Sequence, residues 1–222
     1  MQRIVEPELM EGRAQAEAYA RADFEEPHSR IVEVFFDHFR DVHMNGNILD
    51  LGCGPGDIAF RFAGRCPVCS VIGVDGSDAM IDLAERRQQQ VARTTDNMTF
   101  IRGSIPDVSI PPQPYSAIIS NSLLHHLHRP QVLWQTISRY SGPGTKVFIA
   151  DLFRPSSPEE AREIVNKYAA DELSILREDF YHSLLAAFTP REVEDQLVSA
   201  GLSELSVKKI SDRHLLVVGT KK

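Results

Sequence analysis

The stretch NILDLGCGPGDIA, residues 47–59, runs from strand-like residues into Asp50 and then places Gly52, Gly54 and Gly56 at every second position. Glycines so spaced let backbone amides approach a ligand and permit positive φ. A loop between a parallel strand and a helix lies at the carboxyl end of a sheet, where open α/β sheets bind their ligands. The dinucleotide fingerprint G-x-G-x-x-G opens a helix onto a pyrophosphate. Here, in G-C-G-P-G around Cys53, the third glycine comes one place early, and the acid Asp50 stands two residues before the first. A carboxylate at that point suits an ammonium group better than a phosphate. Asp75 ends the next apolar run, where an acid accepts hydrogen bonds from both hydroxyls of a ribose, and Gly76 and Ser77 follow it. Gly103, Ser104 and Ile105 close a third run, and Ser120, Asn121 and Ser122 close a fourth. Beyond the fourth come His125, His126 and His128 in LLHHLH. A histidine there is able to take a proton near neutral pH; His126 is the first candidate and His125 the second.

These residues need a scaffold that brings strand ends together. Short apolar strands are expected at 47–51, 70–75, 98–103, 115–121 and 146–151, with helices at 57–64, 77–93 and 129–140 between them. Strands alternating with helices at this spacing make βαβ units and a parallel sheet. Two more helices are expected before the sheet, over 8–21 and 29–43, the second capped by Ser29 after a loop containing Pro27. After Asp151 the rhythm changes to a mostly helical insertion, 153–188, with Ser157 as a cap. A helix over 189–202 capped by Thr189 and stopped by Gly201 follows, then an antiparallel hairpin.

The chain has 222 residues and a formal net charge of −7. That length suits one domain with a sizeable core. The acidic balance argues against a broad nucleic-acid contact. No apolar run approaches the roughly 18 residues of a membrane span, and the first residues lack the apolar core of a signal peptide, so the cytoplasm is the expected compartment. Cys66-Pro-Val-Cys69 has the spacing of a redox pair or half a zinc site, but no second pair follows it. The expectation is two small residues leading into a strand. Asp151 ends the fifth strand without a second and third oxygen ligand, so no metal is expected.

DLGCGPG, VIGVDGSDAMIDLAER, FIRGSI and IISNSLLHHL, in that order and each at a strand end, resemble the class I S-adenosylmethionine-dependent methyltransferases. The resemblance covers about residues 45–151. It implies a Rossmann-like doubly wound α/β fold, a seven-stranded sheet of order 3-2-1-4-5-7-6 with strand 7 antiparallel, and a helical cap. It also implies S-adenosylmethionine as cofactor. Asp50 and the loop Gly52, Cys53, Gly54 and Gly56 would hold its methionine part. Asp75, with Gly76 and Ser77, would take the ribose. Met80, Gly103, Ser104 and Ile105 would frame the adenine, and Asn121 and Ser122 would meet the amino group.

The whole chain, 1–222, is then one methyltransferase domain. It divides into an N-terminal helical lid (1–44), a cofactor-binding core (45–152), a helical insertion or cap (153–188), and a last helix with the hairpin (189–222). The acceptor pocket must come from the lid and the cap. Tyr19, Phe24, His28, Arg154 and Tyr181 are its expected lining, since aromatic rings with a few polar tips line small-molecule sites. A small-molecule acceptor fits the acidic charge and the helical cap. Methylation of protein or RNA, and a non-catalytic cofactor-binding module, stay open beside it. Oligomeric state carries no signal in the sequence.

Overall fold

A computed structural model describes residues 1–7, 9, 12–40, 44–91 and 97–222. One sheet of seven strands organises the chain, in the order β3-β2-β1-β4-β5-β7-β6. The strands are β1 (Gly46–Leu51), β2 (Cys69–Asp75), β3 (Met98–Arg102), β4 (Tyr115–Asn121), β5 (Lys146–Leu152), β6 (Ser206–Lys209) and β7 (His214–Thr220). The first five pair in parallel, and β7 lies antiparallel between β5 and β6. The strand order reverses between β1 and β4, the position at which ligands enter such sheets. The register levels the strand ends: Asp50 pairs with Gly73 and with Ile119, Asp75 with Arg102, and Asn121 with Ala150.

The strands are nearly continuous in apolar residues because both faces are covered. Successive residues point to opposite faces, so Leu49 joins the core with Trp134 and Ile118 while Ile48 joins the core with Phe35, Phe62 and Phe148. Phe35 meets Phe62 and Phe148 edge to face, at 4.9 and 5.4 Å between ring centroids. These contacts set α2 (Glu25–His38) and α3 (Asp57–Arg65) against the sheet, with α4 (Asp78–Gln90) beside β3. On the other face lie α5 (Gln131–Tyr140) and α8 (Pro190–Ser199). α6 (Pro158–Tyr168) and α7 (Ser174–Ala186) build a third, smaller core with Leu152. Among the described residues no helix is long and apolar enough to cross a membrane.

Several helix starts follow from the expected caps. Ser77 accepts from the Met80 amide, Ser157 from the Glu160 amide, and Thr189 makes a reciprocal capping box with Glu192. Gly201 closes α8 at φ +70°. α2 departs from expectation: it begins at Glu25, not after Ser29. Pro27 sits in the first turn, where a missing amide proton costs nothing, and Ser29 bonds Glu25 from inside the helix. α1 is shorter than expected, Arg13–Arg21; residues 8, 10 and 11 of the expected helix lie outside the described residues, as do 41–43 and 92–93 of the other two. Cys66 and Cys69 are joined as a disulfide, against the expectation of two ordinary small residues. The Pro-Val turn brings their Cα atoms to 5.4 Å, within the range a disulfide needs.

Residues 1–7 form no helix. They run as an extended strap against the cap. The Ile4 amide donates to the Leu185 carbonyl at 3.1 Å. The Arg3 guanidinium donates to the carbonyls of Ala186, His125 and Leu127 and lies 3.9 Å from the Phe188 ring centre.

Candidate active site

A cavity of about 1500 Å³ opens at the carboxyl ends of β1, β2, β3 and β4. Asp50, Gly52, Cys53, Gly54, Asp75, Gly76 and Ser77 line it. So do Met80, Gly103, Ser104, Ile105, Asn121 and Ser122. Of the glycine loop only Gly56 turns elsewhere: it precedes α3, and a side chain there would strike Phe60 and Phe100. Gly54 faces open space at φ +53°, so its backbone is bare to the cavity. Gly52 serves packing, because a Cβ at that point would come within 2.9 Å of Leu123.

Two carboxylates dominate this wall. Asp75 accepts from the Gly54 amide at 2.9 Å and the Ser77 amide at 2.8 Å. Burial raises its pKa, and those two hydrogen bonds oppose the rise. Asp50 is buried, and its Oδ2 has no hydrogen-bond partner. Burial, and then the charge of Asp75, push the Asp50 carboxyl up to about 8. A lone buried carboxylate beside a second one is a receptor for a cation. Ser122 adopts φ +58° at the end of β4, a backbone conformation that non-glycine residues adopt mainly where the surroundings enforce it.

The lid side of the cavity carries a row of rings. Tyr19 packs on Phe24 at 4.8 Å, and Phe24 stacks on His28 at 4.9 Å. The Tyr19 hydroxyl is pushed up to about 12 by burial, with Asp57 and Asp75 adding to the shift. His28 lines the cavity, yet its Nδ1 lies 2.7 Å from Asp57. Asp57 also takes Arg61 and Arg87, so one carboxylate ties α2, α3 and α4 together.

Two of the expected acceptor residues stand elsewhere. Arg154 is buried and points away from the cavity, donating to the Ala187 carbonyl at 3.0 Å and to Glu192 at 2.7 Å. It braces the start of α8. Tyr181 lies on the far side of α7, under the Arg162 guanidinium at 4.4 Å. Its neighbour Phe180 lines the cavity in its place, with Tyr168 from α6, because one helical step turns a side chain by about 100°.

The histidines sit on a single 3-10 turn, Leu124–His126, that follows β4. His125 Nδ1 lies 2.5 Å from Asp151, whose carboxylate also accepts from the Leu124 and Leu152 amides at 2.7 Å each. Burial works against charge on His125, but Asp151 and then Glu6 outweigh it and raise its pKa. His126 Nδ1 lies 3.1 Å from the Glu6 carboxylate. His125 and His126 both line the cavity, whereas His128 bonds the Glu6 carbonyl outside it.

Residues 48–144 match the methyltransferase domain family. Over those residues the chain is similar to methyltransferases. The chain is 32% identical over 107 residues to an uncharacterized methyltransferase of Schizosaccharomyces pombe, across 46% of this chain and 38% of that one. It is 31% identical over 112 residues to a 2-phytyl-1,4-naphtoquinone methyltransferase of Synechococcus elongatus, across 50% of this chain and 48% of that one. The matches thus span less than half the length of these relatives. The fold extends further. The plantazolicin methyltransferase BpumL, in complex with a pentazolic desmethylPZN analog and SAH, superposes with a TM-score of 0.73 at 16% identity, over 94% of this chain and 91% of that one.

The Asp50 carboxyl gives the protein a pH signature. Its pKa of about 8 in the fold stands above the value near 3.9 of an unfolded aspartate. The folded state therefore holds a proton that the unfolded chain has released, and the cofactor-free protein loses stability as pH rises from about 4 through 8. Asp50→Asn is expected to flatten that decline while weakening cofactor binding. Thermal melts at about pH 5 and pH 8 read the difference between the two proteins; an equal decline in both contradicts the assignment.

Local sequence did not reveal Glu6. One signal was present: Glu6 precedes Pro7, and a residue before proline is held extended, which marks a strap.

Proposed function

We propose that this methyltransferase moves a methyl group from S-adenosylmethionine to a small-molecule acceptor bound in the same cavity. The observation that carries the reading is the size and walling of that cavity. Pockets for a single drug-sized ligand occupy about 300–1,000 Å³, so one of about 1500 Å³ has room for a cofactor and a second small molecule. It is walled by lid and cap rings, not laid out as a long basic groove. One relative is named for a naphthoquinone and one structural neighbour for plantazolicin, which supports a small acceptor without naming it.

The residues divide the work as follows. Asp50, and the amides of the loop from Gly52 to Gly54, would hold the cationic amino-acid end, with Asn121 and Ser122 completing that wall. Asp75 would accept the ribose hydroxyls beside Gly76 and Ser77. Met80, Gly103, Ser104 and Ile105 would frame the adenine. The cofactor, when bound, supplies a methyl group already activated on a sulfonium sulfur. What is left to the chain is position and exclusion of water. Tyr19, Phe24 and His28 from the lid, with Phe180 from α7, close the acceptor half, and His126 touches the acceptor from the turn after β4.

Methyl-labelled S-adenosylmethionine, incubated with the protein and a fractionated cell extract, tests this directly. Label is expected in the small-molecule fraction. Label confined to protein or nucleic acid overturns the acceptor class, and label nowhere overturns the transfer. His126→Ala is expected to leave the cofactor dissociation constant unchanged and to slow turnover on the order of 100-fold, the usual cost of a misplaced reactant.

A further inference from the structure

We propose that Glu6, His125 and His126 form a binding site for a divalent transition-metal ion of the zinc type, which fastens the N-terminal strap to the turn after β4. The ligand atoms of the three side chains lie within 4.8 Å of one another. Glu6 Oε1 is 3.1 Å from His126 Nδ1 and 3.6 Å from His125 Nε2. Bonds of about 2.0–2.1 Å to a tetrahedral ion hold neighbouring ligands about 3.3–3.4 Å apart, so the two separations straddle the required edge.

The polar atoms of the site are otherwise unspent. Glu6 Oε1 and His126 Nδ1 are buried and have no hydrogen-bond partner. They are close enough for an ion pair but not aligned for a hydrogen bond. Unpartnered buried polar atoms are costly, and one ion placed among them satisfies both. The support around them has the form of a metal site. Asp151 holds His125 by Nδ1, which orients the ring and leaves Nε2 for the ion, the carboxylate–histidine–metal arrangement. Ser183 donates to the other Glu6 oxygen at 3.4 Å, and His128 holds the Glu6 carbonyl at 2.7 Å.

Charge favours a cation as well. Arg3 lies near, bonded to the His125 carbonyl, and its single positive charge stands against the two carboxylates of Glu6 and Asp151. Two imidazoles and one carboxylate exclude calcium and magnesium, which take oxygen ligands, and suit zinc, cobalt or iron in the divalent state. The fourth position is left to water. The expectation of no metal rested on Asp151 and its oxygen ligands; Glu6 joins the histidine pair from far earlier in the chain.

Metal binding at this site can be read without any turnover. The full chain, freed of affinity tag and dialysed against chelator, is titrated with cobalt(II) chloride and followed by visible absorption, and with zinc chloride by calorimetry. The expected result is one ion per chain, the intense visible bands of tetrahedral cobalt, and a higher melting temperature with zinc. Glu6→Gln and His126→Gln are each expected to weaken binding at least ~10-fold, while His38→Gln, remote from the site, leaves it unchanged. Circular dichroism confirms that each variant is folded. No saturable binding to the unaltered protein overturns the proposal, and so does one-to-one binding that both Glu6→Gln and His126→Gln retain in full.

Discussion

Asp75→Ala is expected to weaken S-adenosylmethionine binding on the order of 100-fold, as charge-assisted hydrogen bonds each contribute about 1.5–3 kcal/mol. Two losses combine in that variant. The proposed acceptor for the ribose hydroxyls disappears, and the Gly54 and Ser77 amides lose the carboxylate that fixes them at 2.9 and 2.8 Å. Gly54 is thereby released where its backbone faces the cavity, while Gly52 and Cys53 stay bonded to the Val74 carbonyl. Asp75→Asn keeps one acceptor oxygen and is expected to fall between the two. Calorimetric titration of each protein with the cofactor measures the effect. A dissociation constant within about threefold of the unaltered protein, far below the loss of even one such bond, refutes the role given to this carboxylate.

The second large effect concerns stability. Asp151 is 1% exposed and accepts from the Leu124 amide, the Leu152 amide and His125. Removing one partner of a buried charged pair costs about 3–5 kcal/mol. For a chain of this size each kcal/mol moves the melting temperature about 2–4 °C. Asp151→Ala is therefore expected to melt roughly 6–20 °C lower, and Asp151→Asn, which still accepts one hydrogen bond, to lose less. Scanning calorimetry without added metal or cofactor reads this cleanly. A shift of under about 3 °C shows that the network is not the brace described here.

The sheet and its order were legible in the sequence because local signals and global fold agree. Apolar runs of strand length end in Asp50, Asp75, Gly103 and Asn121, and the register brings those ends level. The cavity wall at the strand ends was legible for the same reason, since most of its residues follow a strand end. The facing wall of the cavity was not. Phe180 and Tyr181 are adjacent aromatics, and only the seating of α7 on α6 decides which one faces the cavity. Arg154 carries a charge that invites a substrate, but the fold spends it on Glu192. Glu6 reaches the histidines through a strap with no periodic pattern, so its partner set is a property of tertiary structure alone.

The carboxylate of Asp57 decides where a doorway can be. It locks α2 to α3 and α4 through His28, Arg61 and Arg87, and Phe35 anchors the same helix among rings of the interior. α1 is held on another side: Gln15 donates to Asp179 of α7 at 2.9 Å, and the helix packs on α4 and α7. The link between the two helices is extended at Ala22. A molecule arriving from solvent therefore meets α2 as a fixed doorpost, and any widening of the cavity has to come from elements other than α2.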